Sequence, residues 1–210
     1  MNAPSIAVVL FDRARTPRSL RELPVVAGDL DAIPGPYRRL VVVGTDADLA
    51  AVLSRLLRSE RLDVEIAYLP ARRTRAARAY GLPSGFRAAR RALRGTTQRT
   101  PLIRDETGTV LVGRATWLPP DGADHIQGEA VVDDTVLFDG AAAQVWIEPT
   151  AALPGVRAAL ARRVFPRWVT GRAAQLGTTG AAVVRDGVPA PRTARRSTFY
   201  RNVEGWLLVR

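Results

Sequence analysis

Three short stretches of this chain hold residue types able to bind or move a phosphate. The first, Gly44-Thr45-Asp46-Ala47-Asp48, follows the apolar run LVVV. A glycine at the carboxyl end of a strand lets backbone approach a ligand closely, and the N–H groups of a following helix attract an anion. The second, Arg72-Arg73-Thr74-Arg75, has Arg78 close behind it. Guanidinium forks of this kind hold phosphate by side chain rather than by backbone. The third, Arg185-Asp186-Gly187-Val188, centres on Asp-Gly, the commonest two-residue hairpin turn. Each stretch also has a plainer reading. Asp46 and Asp48 are good turn and helix-cap residues, and an arginine run is usually a solvated face.

Other chemistries have less to stand on. His125 is the single histidine and cysteine is absent, so a two-histidine zinc motif, thiol nucleophiles and disulfides are all excluded. A serine triad would rest wholly on His125, with no Gly-x-Ser-x-Gly elbow beside it. Asp133-Asp134 precede a β-type run, where a turn accounts for them as well as a metal does. Neither a Walker A sequence nor a Gly-x-Gly-x-x-Gly fingerprint is present.

The elements that must position these residues can be read from periodicity. Ile6–Phe11 and Leu40–Val43 are short apolar runs suited to buried parallel strands. Asp48 is expected to cap a helix whose inner face is Leu49, Val52, Leu53, Leu56 and Leu57. Asp63–Leu69 alternates as the next strand, so a right-handed βαβ unit is expected. Two short helices follow. Thr74–Tyr80 stops at Gly81 and Pro83, and Ser84–Arg94 buries Phe86, Ala89 and Leu93 before Gly95. Beyond Thr96 the chain breaks into short β-type runs between Asp-Gly, Pro and Gly turns, with only Gly155–Arg163 looking helical. Thr16–Pro36 carries little signal. The fold class expected is an α/β domain with a parallel sheet over residues 1–97, followed by a β-sandwich-like domain over 98–210.

Composition bounds the partners. The net charge is +11, and all 31 basic residues are arginine. Residues 1–54 are neutral, 55–104 carry +10, 105–150 carry −8 and 151–210 carry +9. Two basic stretches thus flank an acidic one, and part of the charge is expected to be compensated within the fold or across a homo-oligomer. No apolar run is long enough to span a bilayer, and the first residues lack a basic leader region. With the absence of cysteine, this fits a cytoplasmic chain.

The order of strand, Gly/Asp turn, helix, strand, basic loop and Ala77-Arg78-x-x-Gly81-Leu82-Pro83 resembles the nucleotide half of the diacylglycerol kinase and NAD kinase superfamily. That family carries Gly-Gly-Asp-Gly-Thr at the first turn and Gly-Thr-Gly-Asn-Asp at the second. Here Gly44 falls on its first glycine and Asp46 on its aspartate, while Thr45 and Ala47 replace the other two glycines. Arg72-Arg73-Thr74-Arg75 replaces the second loop. In the lipid kinases a β-domain hairpin reads Asp-Gly-Glu; Val188 stands where the glutamate would be.

The resemblance implies ATP and magnesium as cofactors, Asp46 as the catalytic residue and a ligand cleft between two domains. Gly44, Thr45, Asp46, Arg72, Arg73, Thr74 and Arg75 would then hold the nucleotide. The rewritten loops imply a degenerate lipid-kinase-like protein without efficient turnover, binding a nucleotide, another phosphorylated small molecule or a lipid head group. Two alternatives stay open: an active lipid kinase with a remodelled phosphate site, and a nucleic-acid or anionic-membrane binding module resting on Arg192–Arg201 and the basic stretches.

Overall fold

The computed structural model describes residues 5–11, 16–27, 31, 33, 35–161 and 165–210. It divides into two compact units, one formed by residues 1–100 with 204–210 and the other by residues 101–203. The boundary expected at 97/98 therefore falls slightly later, and the last strand belongs to the first unit.

In the first unit the chain runs β1 (Ile6–Leu10), a 3-10 turn (Arg18–Leu20), β2 (Val25–Ala27), β3 (Arg39–Val43), α1 (Asp46–Arg58), β4 (Glu65–Leu69), α2 (Arg75–Ala79), α3 (Gly85–Arg94) and β5 (Thr97–Thr100). Strands β2, β1, β3 and β4 lie side by side and parallel, with Val8 opposite Val41 and Val41 opposite Ala67. The apolar runs of β1, β3 and β4 are buried through most of their length, as parallel strands covered on both faces require, whereas Val25 on the edge strand β2 is exposed. The final strand, Trp206–Val209, adds parallel to β4 and antiparallel to β5. Its run WLLV has the composition of any buried strand, so sequence adjacency alone assigned it to the wrong unit.

Helix α1 buries Leu49, Val52, Leu53 and Leu56, as its spacing predicts. It begins three residues earlier than expected, because Thr45 and not Asp48 is the N-cap. Helix α3 departs further from expectation. Ala88, Ala89 and Ala92 face the core, whereas Phe86 is 79% exposed. Phe86 sits in the first turn, while Leu93 packs partly buried against the same core as the alanines. The C-terminal end of α3 is held by Arg39, whose guanidinium donates to the carbonyls of Ala92, Leu93 and Gly95 at 2.9, 3.3 and 3.0 Å. The same side chain pairs at 2.7 Å with Glu65, which is only 5% exposed.

The second unit is antiparallel: β6 (Ile103–Asp105), β7 (Val110–Leu111), β8 (Ala115–Leu118), β9 (Ile126–Val132), β10 (Thr135–Ala142), β11 (Val145–Pro149), β12 (Val156–Leu160), β13 (Val169–Gly171), β14 (Ala173–Arg185), β15 (Val188–Pro189) and β16 (Ala194–Arg201). The strand that returns to the first unit is thus β17. Strand β14 shifts register against β16 between Gly177 and Ala181, pairing with β9 on its first half and with β8 and β15 on its second. One long strand with such a bend serves both parts of a folded-over sheet. Trp117, Phe199, Ile126, Val145 and their neighbours fill the interior.

Residues 156–160 form a strand, not the expected helix, and the helix's last two residues lie outside the described ones. VRAAL alternates: Val156 and Ala158 point inward, while Arg157 reaches Glu148 on β11 at 2.6 Å. Glu148 also binds Arg114, and the guanidinium groups of Arg114 and Arg157 stack on Trp146 and Trp168. These pairs use some of the acidic and basic charge that the sequence segregates.

Candidate functional site

The strand order reverses between β1 and β3. From β1 the chain moves outward to β2, then returns to place β3 on the other side of β1. In open α/β sheets the crevice at the carboxyl ends of strands at such a point is the usual ligand site. A cavity of about 820 Å³ opens there. Phe11 follows β1, Gly44 and Thr45 follow β3, Pro70 and Ala71 follow β4, and all of them line it. The first unit supplies every lining residue.

The turn after β3 is closed by a reciprocal capping box. The Thr45 hydroxyl accepts from the Asp48 N–H at 3.2 Å, and the Asp48 carboxylate accepts from the Thr45 N–H at 2.7 Å and its hydroxyl at 2.8 Å. Gly44 is required by this arrangement, since a Cβ there would run into the folded-back Asp48 carboxylate. The start of α1, where backbone N–H groups and the helix dipole would draw a phosphate, thus already holds a carboxylate from its own chain.

Asp46 is directed to the second loop. Its Oδ1 accepts from the Tyr68 hydroxyl at 2.9 Å and its Oδ2 accepts from the Ala76 N–H, in the first turn of α2, at 3.1 Å. Thr74 caps α2 by accepting from the Ala77 N–H at 3.1 Å. Burial, and then the neighbouring Asp46 carboxylate, push the Tyr68 hydroxyl well above the usual tyrosine range. It therefore remains a donor to Asp46 at neutral pH.

The structure thus brings the turn after Val43 and the loop after Pro70 together, but through Asp46 and the backbone of α2. Arg72 and Arg73 are exposed, and neither they nor Arg75 lines the cavity. Among the described residues no group of three or more His, Asp or Glu side chains comes together. In the second unit the Asp186 carboxylate accepts from the N–H groups of Val112, Gly113 and Arg114 at 3.0, 2.7 and 2.9 Å. It ties the β14–β15 hairpin to the loop before β8. Asp133 accepts likewise from the backbone of Arg172 and Ala173. Both acids have full structural employment.

Sequence reasoning missed Phe11, Arg18, Ser19 and Phe86, all of which line the cavity. Arg18 and Ser19 fall in the stretch that carried little periodic signal. Phe86 shares a helical stripe with Ala89 and Leu93, but it lies at the cavity end of that stripe.

No family model matches the chain, and no curated protein matches it. Solved structures do. A diacylglycerol kinase from Bacillus anthracis str. Sterne superposes with a TM-score of 0.73 at 10% identity, over 98% of this chain and 96% of that one. An NAD kinase from Archaeoglobus fulgidus, solved in complex with ATP, gives 0.62 at 14% identity, over 98% and 93%. Yeast NADH kinase, complexed with NADH, gives 0.63 at 9% identity, over 99% and 84%. The chain has the fold of the diacylglycerol kinases and NAD kinases.

Proposed function

We propose that this chain keeps the kinase fold as a small-molecule binding protein and does not catalyse efficient phosphoryl transfer. The observation that carries this reading is the occupation of both loop-to-helix turns by internal carboxylates, Asp48 at α1 and Asp46 at α2. Phosphoryl transfer depends on held phosphates, a divalent metal and a group that orients the acceptor hydroxyl. A carboxylate parked at the start of α1 repels the first. For the second, no cluster of three carboxylates stands ready among the described residues, and the Asp46 carboxylate is engaged by Tyr68 and Ala76. Val188 is exposed and cannot supply the third. Loss of a single charge-stabilising group commonly lowers a rate by roughly 10²–10³, so these departures together leave little turnover.

In this reading Asp46, which the resemblance marks as catalytic, has become a clasp between two loops. The ligand is held instead in the cavity above the carboxyl ends of β1, β3 and β4, whose volume of about 820 Å³ suits a small molecule.

The test pairs an activity with a stability measurement. Magnesium–ATP with diacylglycerol or NAD as acceptor is expected to give no turnover above background. Asp46→Asn is expected to lower the melting temperature by several degrees, through weakened bonds to Tyr68 and Ala76. Turnover that Asp46→Asn abolishes would instead establish an active kinase with a remodelled site.

A second reading, an anionic-surface binder, is favoured by α3. Arg87, Arg90 and Arg94 are exposed on one side of the helix while Ala88, Ala89 and Ala92 pack inward. It predicts binding to anionic vesicles or nucleic acid that falls steeply with salt and is insensitive to Asp46→Asn.

A further inference from the structure

We infer that the cavity takes an amphiphile of the fatty-acid class, with its carboxylate at Arg18 and its acyl chain along the wall between Phe11 and Phe86. The inference rests on the binding-protein reading above and names the ligand class of the same cavity. Only four polar side chains reach the wall among the described residues: Arg18, Ser19, Thr45 and Asp48. Thr45 and Asp48 satisfy one another. Arg18 and Ser19 are left, adjacent on the 3-10 turn, so the available polar groups form a single locus.

Arg18 is exposed, and no hydrogen bond or ion pair to another described residue occupies its guanidinium. Among the described residues it is the one cation of the wall, and its guanidinium suits a carboxylate head. The Asp48 carboxylate on the same wall opposes a second anion. The remaining side chains, Val43, Leu69, Pro70 and the two phenyl rings foremost, can recognise neither sugar hydroxyls nor base edges. They suit an apolar body. Phe86, 79% exposed on the cavity wall, is a large aromatic that the protein's own core does not cover, and an acyl chain beneath it would.

Calorimetric titration of the full chain with octanoate, decanoate and laurate below their micellar concentrations tests this. Affinity is expected to rise roughly fourfold per added methylene. Arg18→Gln should weaken laurate binding about tenfold while leaving dodecanol unchanged, because only the charged head is lost. Phe86→Ser should weaken laurate and dodecanol alike. Both residues are exposed, so both variants fold; Arg172→Gln, on the exposed turn between β13 and β14, is the charge control and should change nothing.

An affinity independent of chain length, or one that Arg18→Gln leaves untouched, would overturn the inference. Dodecyl phosphate binding more tightly than laurate would overturn the carboxylate assignment. Kinase turnover is scored separately, so failure of the binding-protein reading is distinguishable from failure of the ligand class.

Discussion

Asp48 and Asp46 each spend a carboxylate oxygen on a backbone N–H at the beginning of a helix, Asp48 on Thr45 and Asp46 on Ala76. Asp48→Ala removes half of a capping box and should cost about 1 kcal/mol in a denaturant melt. Tyr68 adds a pH dependence. Its folded pKa lies above the ordinary tyrosine value of about 10, so the folded protein holds this proton where the unfolded chain has lost it. Stability from Tyr68 is complete below about pH 10 and declines as the pH rises further. Arg91, whose pKa burial and Arg210 lower to about 10, acts in the opposite sense over that range. Comparing wild type with Tyr68→Phe holds Arg91 constant. The variant should show a flatter alkaline decline in melting temperature; an unchanged slope would exclude Tyr68 as its source. The sequence made both aspartates visible, and their type allowed a site or a cap equally. Only the partners decide between those uses, and Tyr68 lies 22 residues from Asp46.

At the scale of elements, strong local patterns were readable and long-range ones were not. The inner face of α1 follows from its 3.6-residue spacing, and β1, β3 and β4 follow from their apolar runs. β12 was misread because an Ala- and Arg-rich segment suits a helix until Arg157 finds Glu148 across the sheet. Likewise β2 is three residues long and β17 pairs with β4 from the opposite end of the chain. The join between β3, β4 and the end of α3 depends on Arg39 and Glu65. Glu65→Ala strands the Arg39 charge in a largely buried site and should destabilise the protein by roughly 3–5 kcal/mol. A change within 0.5 kcal/mol by chemical denaturation would mean the pair contributes nothing beyond a surface bridge.

For the whole molecule, the similarity of fold sets the starting point and the altered residues set the reading. Each unit has its own core, the first beneath a parallel sheet and the second inside an antiparallel one. No helix among the described residues is long and apolar enough to cross a membrane. The resemblance in Leu40–Gly95 pointed to this architecture. Of the cavity wall only the turn Gly44–Asp48 was legible in the sequence. Phe11, Arg18, Ser19 and Phe86 belong to separate elements and form no motif together.

The most direct test is a calorimetric titration of orthophosphate and magnesium–ATP into wild type and Asp48→Ala, side by side. With its own carboxylate seated at α1, the wild type should show no saturable binding up to about 1 mM, a limit near −4 kcal/mol. Asp48→Ala, which vacates the Thr45 N–H and removes a negative charge beside the start of α1, should gain weak orthophosphate binding. Saturable magnesium–ATP binding by the wild type, equal to or tighter than that of the variant, would contradict the account.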